Sequence, residues 1–130
     1  MPGPTPTPVI SDTSLPARVD CVVIGGGIIG VSAALELAER GHSVALCEKG
    51  EIAGEQSSRN WGWVRIARRD PREVALMAEA LRIWKGLDTR IGRATGYTRT
   101  GLMYMCADEA LAARYDRWRR HLEGTQLPAR

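Results

Sequence analysis

The sequence predicts an α/β fold that opens with one β-α-β unit, and three neighbouring segments carry that prediction. Residues 19–24 form a short run of apolar and β-branched residues, typical of a strand buried on both faces of a parallel sheet. A glycine-rich turn follows, and residues 28–40 combine helix-favouring Ala and Leu with a polar side of Glu and Arg. Residues 42–47 form a second apolar run. Strand, helix and strand fit into about thirty residues, so we expect two parallel strands.

The remainder of the chain predicts a helix, a strand and a second helix. Asp70 suits the N-cap of the first helix, Pro71 its first position, and Glu73 would complete a capping box. A stripe at helical spacing then indicates core packing: Val74, Met77, Leu81, Trp84 and either Leu87 or Asp88. Residues 97–106 predict a strand with a kink at Gly101, and a charged helix extends from 108 or 109 to 122.

These elements suggest three regions. Residues 1–18 are rich in Pro and Thr and are expected to be a disordered tail, without the apolar core of a signal peptide. Residues 19–70 hold the β-α-β unit and a polar, glycine-containing loop. Residues 71–130 hold the helix, strand and helix that begin a further region.

Composition excludes several classes of function. The net charge of +3 comes from signs that are mixed along most of the chain, so no nucleic-acid partner is expected. The basic run from Arg114 to Arg120 is interpreted as the solvated face of a helix. Nothing approaches the ~20 apolar residues that span a bilayer, and membrane association is not indicated. Three distant cysteines predict neither a metal site nor disulfides, which favours a reducing compartment and a cytoplasmic location.

The glycine-rich turn has the pattern of a Rossmann-like dinucleotide site. Gly25 lets the chain turn out of the strand, Gly27 leaves room for a pyrophosphate, and Gly30 lets helix and sheet pack closely. The exposed amides of residues 27–30, those of Ile28 and Ile29 included, and the helix dipole would attract the anion.

Glu48 ends the second run eighteen residues after Gly30, where a carboxylate can accept hydrogen bonds from both ribose hydroxyls and would repel a 2′-phosphate. Lys49, beside it, is a further candidate cofactor contact. Ala34 and Gly41 stand at the spacings that the longer dinucleotide-binding pattern requires. The pattern is shared by FAD and NAD enzymes, and it lies at the start of the folded region, which favours FAD.

The segment after Glu48 narrows the choice. With the β-α-β unit, the stretch Gly54-Glu55-Gln56-Ser57-Ser58-Arg59-Asn60-Trp61-Gly62-Trp63-Val64-Arg65 resembles the D-amino-acid oxidase-like flavoprotein superfamily, which includes sarcosine oxidase, glycine oxidase and D-amino-acid dehydrogenase. The resemblance covers residues 20 to about 106. It implies an FAD-binding unit at the start of a two-domain flavoprotein fold that is incomplete in this chain.

The resemblance also implies roles for residues of that segment. Ser57 and Ser58 would lie near the FAD pyrophosphate, and the chain beside the flavin ring would contain Arg59, Asn60, Trp61, Gly62 and Trp63. Arg65 would hold a substrate carboxylate through its bidentate guanidinium. Plainer alternatives are solubilising serines, an ordinary surface or ion-paired arginine, and tryptophans that pack the loop. No His or Cys is placed for flavin attachment, so we expect non-covalent FAD.

The implied function is oxidation of a C–N bond of an amino acid or secondary amine by hydride transfer to flavin. The electron acceptor, oxygen or a quinone, stays open. We expect the chain to be an N-terminal fragment that is inactive alone. The alternatives are a stand-alone dinucleotide-binding module, a subunit without its own catalysis, or an NAD-dependent reductase.

Overall fold

The computed structural model describes residues 5–125, and the chain divides into two compact units, Met1–Gly62 and Trp63–Arg130. The first unit contains strand β1 (Cys21–Ile24), helix α1 (Ile28–Glu39), strand β2 (Val44–Cys47) and a 3-10 turn at Gln56–Ser58. The second contains a 3-10 turn at Pro71–Glu73, helices α2 (Val74–Ile91) and α3 (Glu109–Arg119), and a 3-10 turn at Arg120–Leu122.

The β-α-β unit forms as the sequence predicts. Strands β1 and β2 pair in parallel, with Cys21 opposite Val44 and Ile24 opposite Cys47. Helix α1 connects them and ends in a Schellman motif, in which the Gly41 amide donates to the Ala38 carbonyl. Gly41 has φ +89°, a left-handed conformation that glycine adopts without strain.

The prediction that β1 is buried on both faces is wrong for this structure. Cys21 and Val23 are half-buried, whereas Val22 is 60% and Ile24 87% exposed. Side chains of a strand alternate between two faces. Helix α1 is the element that packs on the sheet in this unit, so it can cover only one of them.

Helix α2 begins later than its capping signals predict. The Asp70 carboxylate accepts from the Arg72 amide at 2.9 Å, and a 3-10 turn precedes the helix proper at Val74. The Glu73 carboxylate lies 3.8 Å from the Arg69 guanidinium, so the reciprocal capping box does not form. The predicted stripe is the less exposed side of α2: Val74 is 5% exposed, and Met77, Leu81, Trp84 and Leu87 are half-buried.

The predicted strand at residues 97–106 is absent. No strand occurs within residues 63–125, and backbone without a partner strand cannot form a ladder. Gly96 and Gly101, with φ near +80°, also bend the segment out of a regular extended course. The final helix does form: Asp108 caps α3 by accepting from the Leu111 amide at 2.7 Å. Among the described helices, none is both long and apolar enough to cross a membrane.

Candidate functional site

The glycine-rich turn joins β1 to α1 with a close backbone approach. Gly25 has φ +107°, and its amide donates to the Cys47 carbonyl at 2.8 Å, which ties the turn to β2. A Cβ at Gly30 would lie 1.9 Å from the Gly25 carbonyl oxygen. Only a residue without a side chain can occupy position 30 while the first turn of α1 stays against the loop.

The start of α1 presents backbone N–H groups, as every helix N-terminus does. Among residues 5–125, the Ile29 and Gly30 amides have no hydrogen-bond acceptor. The Ile28 amide donates to the Ser57 hydroxyl oxygen at 2.8 Å. A Cβ at Gly27 would approach that same oxygen at 3.1 Å, so Gly27 and Ser57 face each other across the helix start.

Glu48 connects the end of β2 to the loop. Its carboxylate accepts from the Gly26 amide at 2.6 Å and from the Gly50 amide at 2.9 Å. These two hydrogen bonds, the Gly26 bond foremost, lower the pKa of Glu48, because they favour the ionised form. Each carboxylate oxygen has a second lone pair, so the group can accept further hydrogen bonds. Lys49, the next residue, is exposed.

A second loop folds over the glycine-rich turn. The Ala53 amide donates to the Gly26 carbonyl at 2.9 Å, and Ala53 has φ +61°, unusual for a residue other than glycine. A Cβ at Gly26 would lie 2.4 Å from the Ile52 side chain and 3.1 Å from the Glu48 Cβ. Gly26 therefore has its own steric requirement. The sequence pattern leaves this middle position free, and it gives no signal for Ile52 or Ala53.

The 3-10 turn that carries Ser57 and Ser58 separates the two serines. Ser57 turns toward α1, whereas the Ser58 hydroxyl donates to the Glu55 carbonyl at 3.0 Å within its own turn. Arg59 pairs with Glu55 at 3.2 Å. Asn60 donates to the Ser57 carbonyl. Ser57 therefore contacts the helix start, and Ser58 does not.

The end of this unit is more open. The Asn60 side chain accepts from the Gly62 amide at 2.6 Å, and Gly62 has φ +71°. Trp61 is 84% exposed, so its ring is not packed tightly on the loop.

Arg65 lies in the second unit. Its guanidinium, half-buried, donates to the Ala67 carbonyl, and within residues 63–125 no carboxylate pairs with it. The neighbouring Arg68 has φ +63° and places its guanidinium carbon 5.6 Å from the Tyr104 ring centroid and 5.3 Å from that of Tyr115.

Helix α3 holds the same segment at a second point. The Trp118 indole donates to the Arg69 carbonyl at 2.7 Å. The backbone shortly after Arg65 is thus held at two points, by the Arg68 side chain near the two tyrosine rings and by the hydrogen bond to the Arg69 carbonyl. No group of His, Cys, Asp and Glu within residues 5–125 is arranged to hold a metal ion.

The residues of the first unit fit a dinucleotide. Open amides at the start of α1 provide anion donors, and Glu48 provides acceptors at the strand end. The position of Gly30 excludes a side chain, and Gly27 leaves the space in front of the helix start open up to the Ser57 hydroxyl. A parallel β-α-β unit with this loop defines a dinucleotide-binding protein of the Rossmann-like class.

The chain belongs to the FAD-dependent oxidoreductase family known as DAO, whose family model matches residues 20–130. FAD is therefore the cofactor of its family, as the sequence predicts, and the α/β unit is confirmed as part of this fold.

Three relatives illustrate the match. L-amino acid deaminase from Proteus myxofaciens, solved in complex with anthranilate, superposes with a TM-score of 0.88 and 36% identity over 94% of this chain. Glycine oxidase from Geobacillus kaustophilus is 30% identical over 78% of this chain. The mitochondrial pyruvate dehydrogenase phosphatase regulatory subunit from Mus musculus is 32% identical over 75%. The chain spans 28% of the deaminase chain, 30% of the oxidase and 11% of the regulatory subunit.

Proposed function

We propose that residues 20–62 bind the adenosine and pyrophosphate half of FAD. The observation that carries the proposal is the pair of amides, Ile29 and Gly30, which have no acceptor within residues 5–125. They lie beside Gly27, where a Cβ would come within 3.1 Å of the Ser57 hydroxyl, and a Cβ at Gly30 itself would meet the Gly25 carbonyl oxygen. A helix N-terminus with free N–H groups stabilises a phosphate through hydrogen bonds and the helix dipole. Glu48 would accept from the ribose hydroxyls, and Lys49 is the exposed residue next to it.

Glu48 also supports a preference for dinucleotides without a 2′-phosphate. Two loop amides already hold its carboxylate ionised, since they lower its pKa. A negative charge at the ribose position would repel the 2′-phosphate of NADP. FAD and NAD carry no such group, so they are the nucleotides that this site accepts.

A binding experiment tests this part directly. Purified protein titrated with FAD, NAD and NADP should bind FAD most tightly, with isothermal calorimetry as the measurement. Binding of NAD in preference to FAD would contradict the cofactor assignment, and binding of NADP would contradict the role of Glu48.

For the whole protein, we propose oxidation of a C–N bond of an amino acid or secondary amine. Such a reaction removes a hydride from carbon and a proton from nitrogen, and FAD, when bound, would supply the hydride acceptor. The names of two relatives, an L-amino acid deaminase and a glycine oxidase, support this substrate class. Arg65, which has no carboxylate partner within residues 63–125, is the proposed contact for the substrate carboxylate.

Anaerobic bleaching tests the reaction. Amino acids and secondary amines added to the FAD-loaded enzyme should remove its absorbance near ~450 nm, because hydride transfer reduces the flavin. Restoration by oxygen would identify an oxidase, and restoration only by a quinone a dehydrogenase. A loaded flavin that no amino acid or amine bleaches would contradict the proposed reaction.

A second candidate function is a regulatory one. The mouse relative is named a regulatory subunit, and it matches 75% of this chain. In that case FAD or another dinucleotide would be bound without turnover. Tight FAD binding together with an unbleachable flavin would favour this candidate.

A further inference from the structure

The Ser57 hydroxyl stands in front of helix α1. It accepts from the Ile28 amide at 2.8 Å, a contact between residues 29 positions apart, and it lies 3.1 Å from the place of a Gly27 Cβ. The adjacent Ile29 and Gly30 amides have no acceptor in the described part of the chain. The neutral Ser57 hydroxyl oxygen therefore lies at the edge of the amides of residues 28–30, to which the proposed function assigns the pyrophosphate.

An amide carries one hydrogen, so the Ile28 N–H serves one acceptor well at a time. A phosphate oxygen is charged and forms a shorter, stronger hydrogen bond than a neutral hydroxyl does. Ser57 has an additional capacity, since a hydroxyl donates as well as accepts. Within residues 5–125 its hydrogen has no acceptor. Ser57 can release the Ile28 amide and donate to the same anion.

The position of Ser57 is connected to the following backbone. Its carbonyl accepts from the Asn60 side-chain amide, and the other end of that amide accepts from the Gly62 N–H at 2.6 Å. Asn60 thus bridges the Ser57 turn to Gly62, the last residue of the first unit. A shift of the Ser57 backbone that accompanies a new hydroxyl partner would move the carbonyl that Asn60 holds, and with it the Asn60 side chain that accepts from Gly62.

We propose that Ser57 exchanges hydrogen-bond partners when the dinucleotide binds, and that Asn60 transmits this exchange to residues 59–62. In the free protein Ser57 caps α1, and in the bound protein it donates to the pyrophosphate. The inference rests on the proposed function. It adds a coupling, in which binding of the adenosine and pyrophosphate half of the cofactor changes the hydrogen bonding of the backbone at residues 59–62.

The test uses ADP, which carries the pyrophosphate and adenosine but no flavin ring. Hydrogen exchange of the backbone amides at 28–30 and 59–62 is measured with and without ADP, together with the ADP affinity. Ser57→Ala is compared with Ser57→Thr, which keeps a hydroxyl. Ser58→Ala is the matched control, because Ser58 lies on the same turn and its hydroxyl bonds to Glu55. Thermal unfolding of each variant verifies that it is folded.

In the wild-type protein, ADP should change exchange at both segments. Ser57→Ala should weaken ADP roughly tenfold, the loss of one charge-assisted hydrogen bond, and should abolish the response at 59–62. Ser57→Thr should restore both, and Ser58→Ala should leave both unchanged.

Three results overturn the coupling. One is a response at 59–62 in the Ser57→Ala variant equal to that of the wild type, and another is unaltered ADP affinity in the same variant. The third is a wild-type protein that binds FAD but shows no ADP response at 59–62, which leaves the proposed function standing. A wild-type protein that binds neither ADP nor FAD overturns the proposed function, and the coupling with it.

Discussion

The glycine-rich turn of the first unit and the Arg65 segment of the second are built in opposite ways. Around the turn, backbone groups meet groups from distant parts of the chain: Gly25 with Cys47, Gly26 with Glu48, and Ile28 with Ser57. Around Arg65, side chains hold the segment instead. Arg68 lies near two tyrosine rings, and the Trp118 indole donates to the Arg69 carbonyl.

The contrast shows where each unit tolerates change. A site made of backbone amides is sensitive to added volume, because a new side chain displaces main chain that cannot move independently. A site made of a guanidinium is sensitive to removal, because its donors vanish with the side chain. Substitutions that add atoms should therefore damage the first unit most, and substitutions that delete atoms should reveal the role of Arg65.

The greatest loss is expected from Gly30→Ala. The added Cβ would lie 1.9 Å from the Gly25 carbonyl oxygen, so the loop or the helix must move. Overpacking of this kind typically costs ~1–3 kcal/mol and occasionally more, and backbone is the least yielding neighbour. Chemical denaturation should show a loss of about 3 kcal/mol or more in the free energy of unfolding.

Gly86→Ala is the matched control for that experiment. Gly86 lies inside α2 with nothing within 4 Å of an added Cβ. The same substitution there should stabilise the protein by ~0.5–1 kcal/mol, because Ala favours helix over Gly. Equal effects at the two positions would show that the close approach at Gly30 has no energetic weight.

The next greatest change is expected from Arg65→Ala in the FAD-loaded enzyme. Removal of a charged partner from a bound carboxylate typically costs ~2–5 kcal/mol, so the apparent Michaelis constant should rise roughly thirtyfold or more. FAD content should stay unchanged, and amines without a carboxylate should be affected far less. Arg114→Ala, an exposed arginine on α3, provides the control. Normal kinetics with carboxylate substrates would remove Arg65 from the site.

Glu48→Ala should have a smaller effect, on cofactor affinity. The carboxylate is proposed to accept from ribose, and its loss should weaken FAD by roughly tenfold, measured by calorimetry. Glu48 also holds the Gly26 and Gly50 amides, so thermal stability should fall as well. Glu51→Gln, an exposed neighbour, is the control. Reduced stability with unchanged FAD affinity would show that Glu48 stabilises the loop and does not contact the cofactor.

A pH dependence from Asp20 should be the weakest of these effects. Its carboxylate accepts from the hydroxyl and the amide of Ser43, and these bonds lower its pKa from the ordinary 3.8. A lowered folded-state pKa means that the contribution is present above pH 3.8 and is lost as pH falls through the folded-state value. Asp20→Asn should flatten the decline of the melting temperature below about pH 4 relative to Asp12→Asn. Parallel declines would contradict this role.

Much of the first unit is predictable because its signals are local. Gly25, Gly27 and Gly30 have the spacing of a dinucleotide loop, and the Gly41 position ends α1 as the sequence predicts. Roles that depend on a distant loop are not predictable in this way. Nothing near Gly26 in sequence indicates that Ile52 and Glu48 pack beside it.

In the second unit, two predictions from local sequence signals are wrong. Residues 97–106 have the composition of a strand, yet a strand also needs a partner, which composition does not encode. Asp70 and Glu73 have the spacing of a capping box. Asp70 does cap the turn, because its carboxylate accepts from the Arg72 amide, whereas the Glu73 carboxylate lies beside the Arg69 guanidinium, which competes with the backbone amide.

The other proposals depend on FAD binding at the glycine-rich turn, and a titration of Gly27→Val with FAD is the decisive test of that assignment. Valine at 27 would place side-chain atoms within 3.1 Å of the Ser57 hydroxyl, where the pyrophosphate is proposed to lie. Gly50→Ala is the control, since its Cβ would make an ordinary 3.9 Å contact with Glu48. We predict that Gly27→Val stays folded and loses FAD binding, while Gly50→Ala binds normally. A folded Gly27→Val protein with wild-type FAD affinity would contradict the assignment.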